Sequence, residues 1–130
     1  MTVQSFRKVM WFAVGTVIFG CLLYSCSPKV HASPIDLARS EIGHGEIGSN
    51  NCGVYVKQYL RGRENLPWCA GFVSYCLKKS GAHLPYTLRA RDFLKLGKRV
   101  NAPQAGDLIV FSRKGGGHVG IIESVSKDTI

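Results

Sequence analysis

Pro67-Trp-Cys-Ala-Gly-Phe-Val-Ser-Tyr-Cys-Leu-Lys-Lys-Ser-Gly81 is the most apolar stretch of helical character after residue 32, and both of its ends are marked. Proline stands at its head, two lysines fall in what would be the last turn, and glycine follows, as the helix dipole and a positive-φ stop favour. The pattern predicts a buried central helix. Gly71 inside it lowers helix propensity by about 1 kcal/mol against alanine, which implies close packing by a neighbouring backbone. Cys69 falls where this helix begins, so unpaired N–H groups and the positive dipole end would stabilise its thiolate. The same N–H groups could hold the oxyanion formed when that thiolate attacks a carbonyl.

Upstream, Ser33-Pro-Ile-Asp36 supplies a hydroxyl cap, a proline at the first helical position and a carboxylate in the first turn. A helix is predicted to follow, with Ile35, Ala38 and Ile42 at helical spacing and Gly43 ending it. Residues 44–53 are polar and glycine-rich and read as a loop. Val54 to Leu60 is predicted as a second short helix, from the pairs Tyr55/Tyr59 and Val56/Leu60, and residues 61–66 as a charged turn. Downstream, Thr87 to Leu96 is predicted as a short helix capped by Thr87 and stopped at Gly97. The period then changes. Leu108-Ile-Val-Phe111 and the run from His118 to Val125 read as strands, with Ser112 to Gly117 as a flexible turn between them. Helices followed by an antiparallel sheet predict an α+β domain.

Val9 to Ser27 contains no charged residue and follows the basic pair Arg7-Lys8, the layout of an export signal. Val30-His31-Ala32 offers a small-x-small cleavage site. Leu23-Tyr-Ser-Cys26 resembles a lipobox, and an uncleaved anchor is a third reading, because the block approaches the roughly 18–20 residues needed to span a bilayer. Residues 1–32 are therefore expected to be a signal peptide or a membrane or lipid anchor, and residues 33–130 one domain. Location is expected to be periplasmic, cell-envelope or secreted. All 8 acidic residues but only part of the 17 Lys and Arg lie after residue 32, and that body remains basic. Export removes nucleic acid as the partner, which leaves a negatively charged envelope, though dispersed charge of this kind also suits a plain solvated surface.

With Cys21 and Cys26 in the leader, Cys52, Cys69 and Cys76 remain in the body. Cys69 and Cys76 on one helix would stand about 10.5 Å apart along its axis, too far for a bridge. If Cys69 is the free thiol, Cys52 with Cys76 is the one feasible pair, and a free buried Cys76 is the alternative. A thiolate nucleophile needs an imidazole to take its proton and hand it to the leaving amine. His118, after three glycines at the start of a strand, is the candidate. His31 lies in the leader, while His44 and His83 read as exposed loop residues. No Cys-x-x-Cys or His-x-x-x-His spacing is present, so no metal and no cofactor is expected.

Three ordered blocks, Pro67 to Leu77, Pro103-Gln-Ala-Gly-Asp-Leu-Ile-Val-Phe111 and Gly117-His-Val-Gly-Ile-Ile122, resemble the CHAP family of cysteine, histidine-dependent amidohydrolases and peptidases. Ala38 to Gly43 and Asn51 to Leu60 also resemble the N-terminal helices of its wall-hydrolase branch. The likeness runs from about Ile35 to Val125. It implies a papain-like α+β fold with N-terminal helices packed on an antiparallel sheet. It also implies a peptidoglycan hydrolase, amidase or endopeptidase, with Cys69 as nucleophile and His118 as base. Asn51 and Trp68 are the candidates for contacting substrate or the oxyanion; for Asn51 a helix-cap role competes.

One departure lies at the C-terminus. The family's third polar residue, which orients the imidazole, sits on a strand after the histidine strand, and this sequence stops at Ile130. Glu123 should point to the opposite face from His118. The C-terminal strands are therefore expected to be missing from a truncated domain, leaving an unpaired sheet edge. A wall-binding module of the same fold with impaired catalysis, and acyl transfer to an amine or alcohol in place of water, are the competing functions.

Overall fold

The structure, a computed structural model, describes residues 1–5 and 31–126. Helix α1 (Pro34–Ser40) begins as its sequence dictates, with the Ser33 hydroxyl accepting a hydrogen bond from the Asp36 amide at 3.3 Å. It ends two residues sooner than the apolar spacing suggests: Glu41 is the C-cap and Ile42 is 78% exposed. Helix α2 (Val54–Tyr59) buries Val56 and Tyr59. Its cap is Gly53, at φ 113, where a Cβ would stand 2.7 Å from the Ile47 nitrogen.

Helix α3 (Cys69–Lys79) is the buried central helix, with Ala70, Gly71, Val73, Ser74, Cys76 and Leu77 all inaccessible. The backbone that approaches Gly71 belongs to the end of α2: a Cβ at Gly71 would lie 2.6 Å from the Tyr59 carbonyl oxygen. The Tyr86 hydroxyl reaches the same junction, 2.7 Å from the Tyr59 oxygen and 3.0 Å from the Gly71 oxygen, so its single proton is shared between the two carbonyls.

The segment predicted as one helix from Thr87 is a 3-10 turn (Ala90–Asp92) running into α4 (Phe93–Leu96). It starts late because Thr87 is engaged locally. Its hydroxyl accepts from the Arg89 amide at 3.1 Å, closing a turn two residues on, and Ser74 of α3 bonds both its backbone carbonyl and its amide.

Strands β1 (Thr2–Ser5), β2 (Lys98–Arg99), β3 (Leu108–Arg113) and β4 (Gly116–Ile121) form one antiparallel sheet in the order β2-β1-β3-β4. The β3–β4 hairpin turns on Lys114-Gly115 alone, since Ser112 pairs with Gly117 and Arg113 with Gly116; Gly115 supplies the φ of 83 that the turn requires. At the other end of the hairpin, the Ile122 amide donates to the Asp107 carbonyl at 2.8 Å, and the buried Asp107 carboxylate accepts from the Gln104 amide at 3.0 Å. Leu108, Val110 and Val119 on one face of the sheet pack with Ala70, Val73, Leu77, Ala90 and Phe93, while Ile109, Val3 and Ile122 form a smaller cluster.

The α+β architecture of helices on an antiparallel sheet is as predicted, but the expectation of missing C-terminal strands and an open sheet is overturned. The sheet is four-stranded, and the second edge of β3 is paired by Thr2, Val3 and Gln4. The partner comes from ahead of the apolar block, in residues assigned to the leader, whereas the sequence reading sought it downstream of His118. The apolar block itself, with its lipobox-like segment, lies outside the described residues. Among the described residues no helix is long and apolar enough to cross a membrane.

Gly71→Ala should destabilise the domain by about 1–3 kcal/mol, because backbone rather than a flexible side chain occupies the space. A denaturant titration showing an unchanged midpoint would contradict this packing.

Candidate active site

Cys69 is the first residue of α3, and the first bond of that helix runs from the Phe72 amide to the Trp68 carbonyl at 2.8 Å. The amides before Phe72 therefore lie outside the helix's own ladder and are free to meet a ligand. The half-buried Cys69 opens on a cavity of about 570 Å³ whose wall includes Trp68, Phe72, Glu41, Asn51 and His118. The four residues singled out by the sequence, Cys69, His118, Asn51 and Trp68, thus border one space.

His118 comes from β4, paired with Phe111 of β3, and the two rings lie 6.4 Å apart. Val119 is buried against α3, so alternation gives His118 the other pleat. Three consecutive residues, His118, Val119 and Gly120, nevertheless border the cavity, which meets β4 along its outer edge. Among the described residues no hydrogen bond joins the Cys69 thiol to the imidazole, and none reaches either ring nitrogen. The two groups share a cavity without a hydrogen bond between them, a looseness common in sites that tighten on substrate. Burial, and secondly the nearby Arg113 charge, hold the His118 pKa below 6.5, which leaves the ring neutral and able to accept a proton near neutral pH.

The two supporting candidates differ in what they can offer. Asn51 adopts φ 57 and its carbonyl accepts from the Asn65 amide at 3.1 Å; α2 is capped by Gly53, so Asn51 is not the helix cap. The Trp68 indole N–H is already donated to Glu46 at 2.9 Å, and its ring packs on Tyr59 and Phe72. Trp68 thus lines the cavity with its ring while its one donor is engaged by Glu46.

Cys52, Cys69 and Cys76 are all free thiols, so the pairing of Cys52 with Cys76 is not made. Cys52 donates to the Asn65 side chain at 3.0 Å. Burial first, and the Glu41 charge second, push the Cys76 thiol up to about 12, which makes it an inert core residue. Glu123 is committed to Arg39 at 3.3 Å, in agreement with its pointing away from His118. Among the described residues no group of three or more His, Cys, Asp or Glu side chains could hold a metal ion.

A family model for the CHAP domain matches residues 48–130. The chain belongs to the CHAP family. No curated protein and no solved structure matches it significantly. CHAP membership carries cysteine-hydrolase chemistry in general, and CHAP proteins generally act on peptidoglycan.

Glu41 is the part of this CHAP site that sequence reasoning missed. Its side chain is 14% exposed, and its carboxylate accepts from the hydroxyls of Tyr59 at 2.8 Å and Tyr75 at 3.1 Å while meeting His44 Nδ1 at 2.9 Å. Burial raises its pKa, but the bonds from His44, Tyr59 and Tyr75 outweigh that and hold the carboxyl below 4.5. His44, expected to be a solvated loop residue, is exposed but stacked on Tyr55 with ring centroids 4.0 Å apart, and it borders the cavity. One signal was legible: a carboxylate at a helix C-terminus opposes the dipole, so Glu41 needed partners from elsewhere.

Glu41→Gln should lower stability by about 1–3 kcal/mol near neutral pH, since an amide turns two donor hydrogens toward groups that themselves donate. Because the folded-state pKa is depressed, the stabilisation is complete above 4.5 and fades as pH falls through the lower folded value. Urea midpoints of the two proteins should therefore converge in acid; a gap that persists there would contradict an ionised Glu41.

Proposed function

We propose that this CHAP domain is an exported peptidoglycan hydrolase, an amidase or endopeptidase, that uses Cys69 as nucleophile and His118 as general base. The observation that carries the reading is the shared cavity: a thiol at the leading end of the buried helix and a neutral imidazole on the adjoining strand both border it. His118 takes the thiol proton as sulfur attacks the amide carbonyl carbon. The tetrahedral oxyanion lies against the free amides at the start of α3. Collapse breaks the C–N bond, the amine departs with the proton returned by the imidazolium, and a thioester remains on Cys69. Water, deprotonated by the same imidazole, hydrolyses the thioester and restores the thiol. The aromatic wall of Trp68 and Phe72 supports the backbone of a bound stem peptide, and Asn51 offers a polar group on the same cavity.

Digestion of purified peptidoglycan followed by mass spectrometry of the new termini is the direct test. Release of new amine and carboxyl ends by the wild type, abolished in Cys69→Ala and reduced about a hundredfold or more in His118→Ala, is the expected result. Wild-type rates in either variant would refute the assignment. Since the His118 pKa lies below 6.5, the acid limb of kcat/KM should fall below that value. Arg113→Gln should shift it upward by removing a neighbouring positive charge. An acid limb above 6.5 would count against His118 as the base.

A second reading has one observation in its favour: no group among the described residues orients the His118 ring. On that reading the groove holds wall peptides without turning them over. Wall binding with no new termini, unaltered in Cys69→Ala, is its signature.

A further inference from the structure

The segment 44–53 supplies part of the site's wall, because His44 and Asn51, together with Gly43 just before them, border the cavity that Cys69 and His118 share. It is folded on itself. The Ile47 amide donates to the Cys52 carbonyl at 3.0 Å and the Cys52 amide to the Ser49 carbonyl at 3.2 Å. At its far end Asn65 holds it, giving its amide to the Asn51 carbonyl and accepting from the Cys52 thiol. At its base one side chain does so. His44 follows Gly43, whose φ of 92 turns the chain off the end of α1, and its Nδ1 meets the Glu41 carboxylate at 2.9 Å. Its ring lies flat on Tyr55 of α2, with 9° between the planes. The imidazole thus bridges the last turn of α1 and the first turn of α2 at the foot of the loop that carries Asn51.

The strength of this bridge depends on charge. Among the described residues His44 meets no carboxylate but Glu41, and no Lys or Arg reaches Glu41 in its place. The remaining groups about the pair are neutral: the hydroxyls of Tyr59 on α2 and Tyr75 on α3, which donate to Glu41, the Tyr55 ring, and the buried Cys76 thiol. Cys69 and His118 border the same cavity. Glu41 stays ionised through the range in which imidazoles titrate, so lowering the pH through that range turns a neutral hydrogen bond into a charge-assisted one. We infer that His44 is a positioning residue of the site, a clasp that fixes the Asn51-bearing loop to α1 and α2 and grips it harder when protonated. The clasp stands by itself; its effect on substrate rests on the hydrolase reading.

Hydrogen exchange of the full chain at about pH 5.5 and about pH 8, corrected for intrinsic rates, reads the clasp through the amides of Ile47, Cys52 and Asn65. Their protection in the wild type should be about twofold to fivefold greater in acid, the worth of one half-exposed ion pair. His44→Gln keeps a donor for Glu41 but carries no charge, and His44→Phe keeps the stack on Tyr55. The pH difference should vanish in both, whereas a merely structural role would lower protection equally at the two pH values. Over the same interval KM for soluble peptidoglycan fragments should rise by a similar factor in the wild type and stay flat in His44→Gln. The pH dependence of kcat, governed by His118, should be common to the two proteins. Protection that ignores pH in the wild type, or a pH difference that persists in both variants, overturns the clasp. A KM that changes alike in wild type and His44→Gln overturns its positioning role. Absence of turnover sinks the hydrolase reading alone, and the exchange result still decides the clasp.

Discussion

The backbone of α3 touches that of α2 at Gly71, with the Tyr59 carbonyl occupying the space where any other residue would carry its Cβ and Tyr86 bonding both chains at the junction. That contact lies two residues into the helix that Cys69 begins. It fixes how deeply the leading end of α3 sits, and therefore how much of the thiol reaches the cleft. It also draws Tyr59 under Trp68 and Phe72, so that three aromatic rings brace the turn from which the sulfur projects. Glu41 completes the arrangement from the far side, because its carboxylate accepts from Tyr59 of α2 and Tyr75 of α3 at once. The candidate nucleophile is thus positioned by a packed backbone and a buried polar cluster, not by its own loop.

The parts of the fold legible in the sequence are those set by local chemistry. Ser33 with Pro34 and Asp36 specifies a helix start through contacts within four residues, and the structure makes them. The apolar run from Pro67 specifies a buried helix because no other packing would hide so many side chains. Leu108 to Phe111 and the residues around Val119 specify strands through β-branched content. What could not be read depended on distance. Ile42 has helical spacing but follows the last turn of α1, and so lies in solvent. Thr87 has the chemistry of a cap but spends it on Arg89 and Asp92, and its backbone on Ser74. The strand beside β3 was invisible to any pattern, because Thr2–Ser5 is too short to show a period and stands more than a hundred residues from its partner.

The candidate site divides in the same way. Cys69 and His118 stand out in the sequence because each combines a reactive residue type with a local signal, a helix start and a glycine-flanked strand. Glu41 carries an ordinary surface residue type, and only the folded arrangement gives it meaning. A carboxylate under two tyrosines is a relation between elements, and sequence spacing holds no record of it.

Strand β1 has a topological consequence. It is hydrogen-bonded to β3 on one side and is the sole sheet neighbour of β2 on the other, yet it joins the rest of the domain only through residues 6–30. Scission of the chain at Ala32 would convert Thr2–Ser5 from an intramolecular strand into a separate peptide. Its occupancy would then follow mass action, and dilution would empty its slot. The buried Gln4 Oε1, which has no hydrogen-bond partner among the described residues, weakens any such non-covalent hold. The vacated slot would offer the backbone of β3 to another extended segment, so proteolytic maturation and strand exchange would be one event in this molecule.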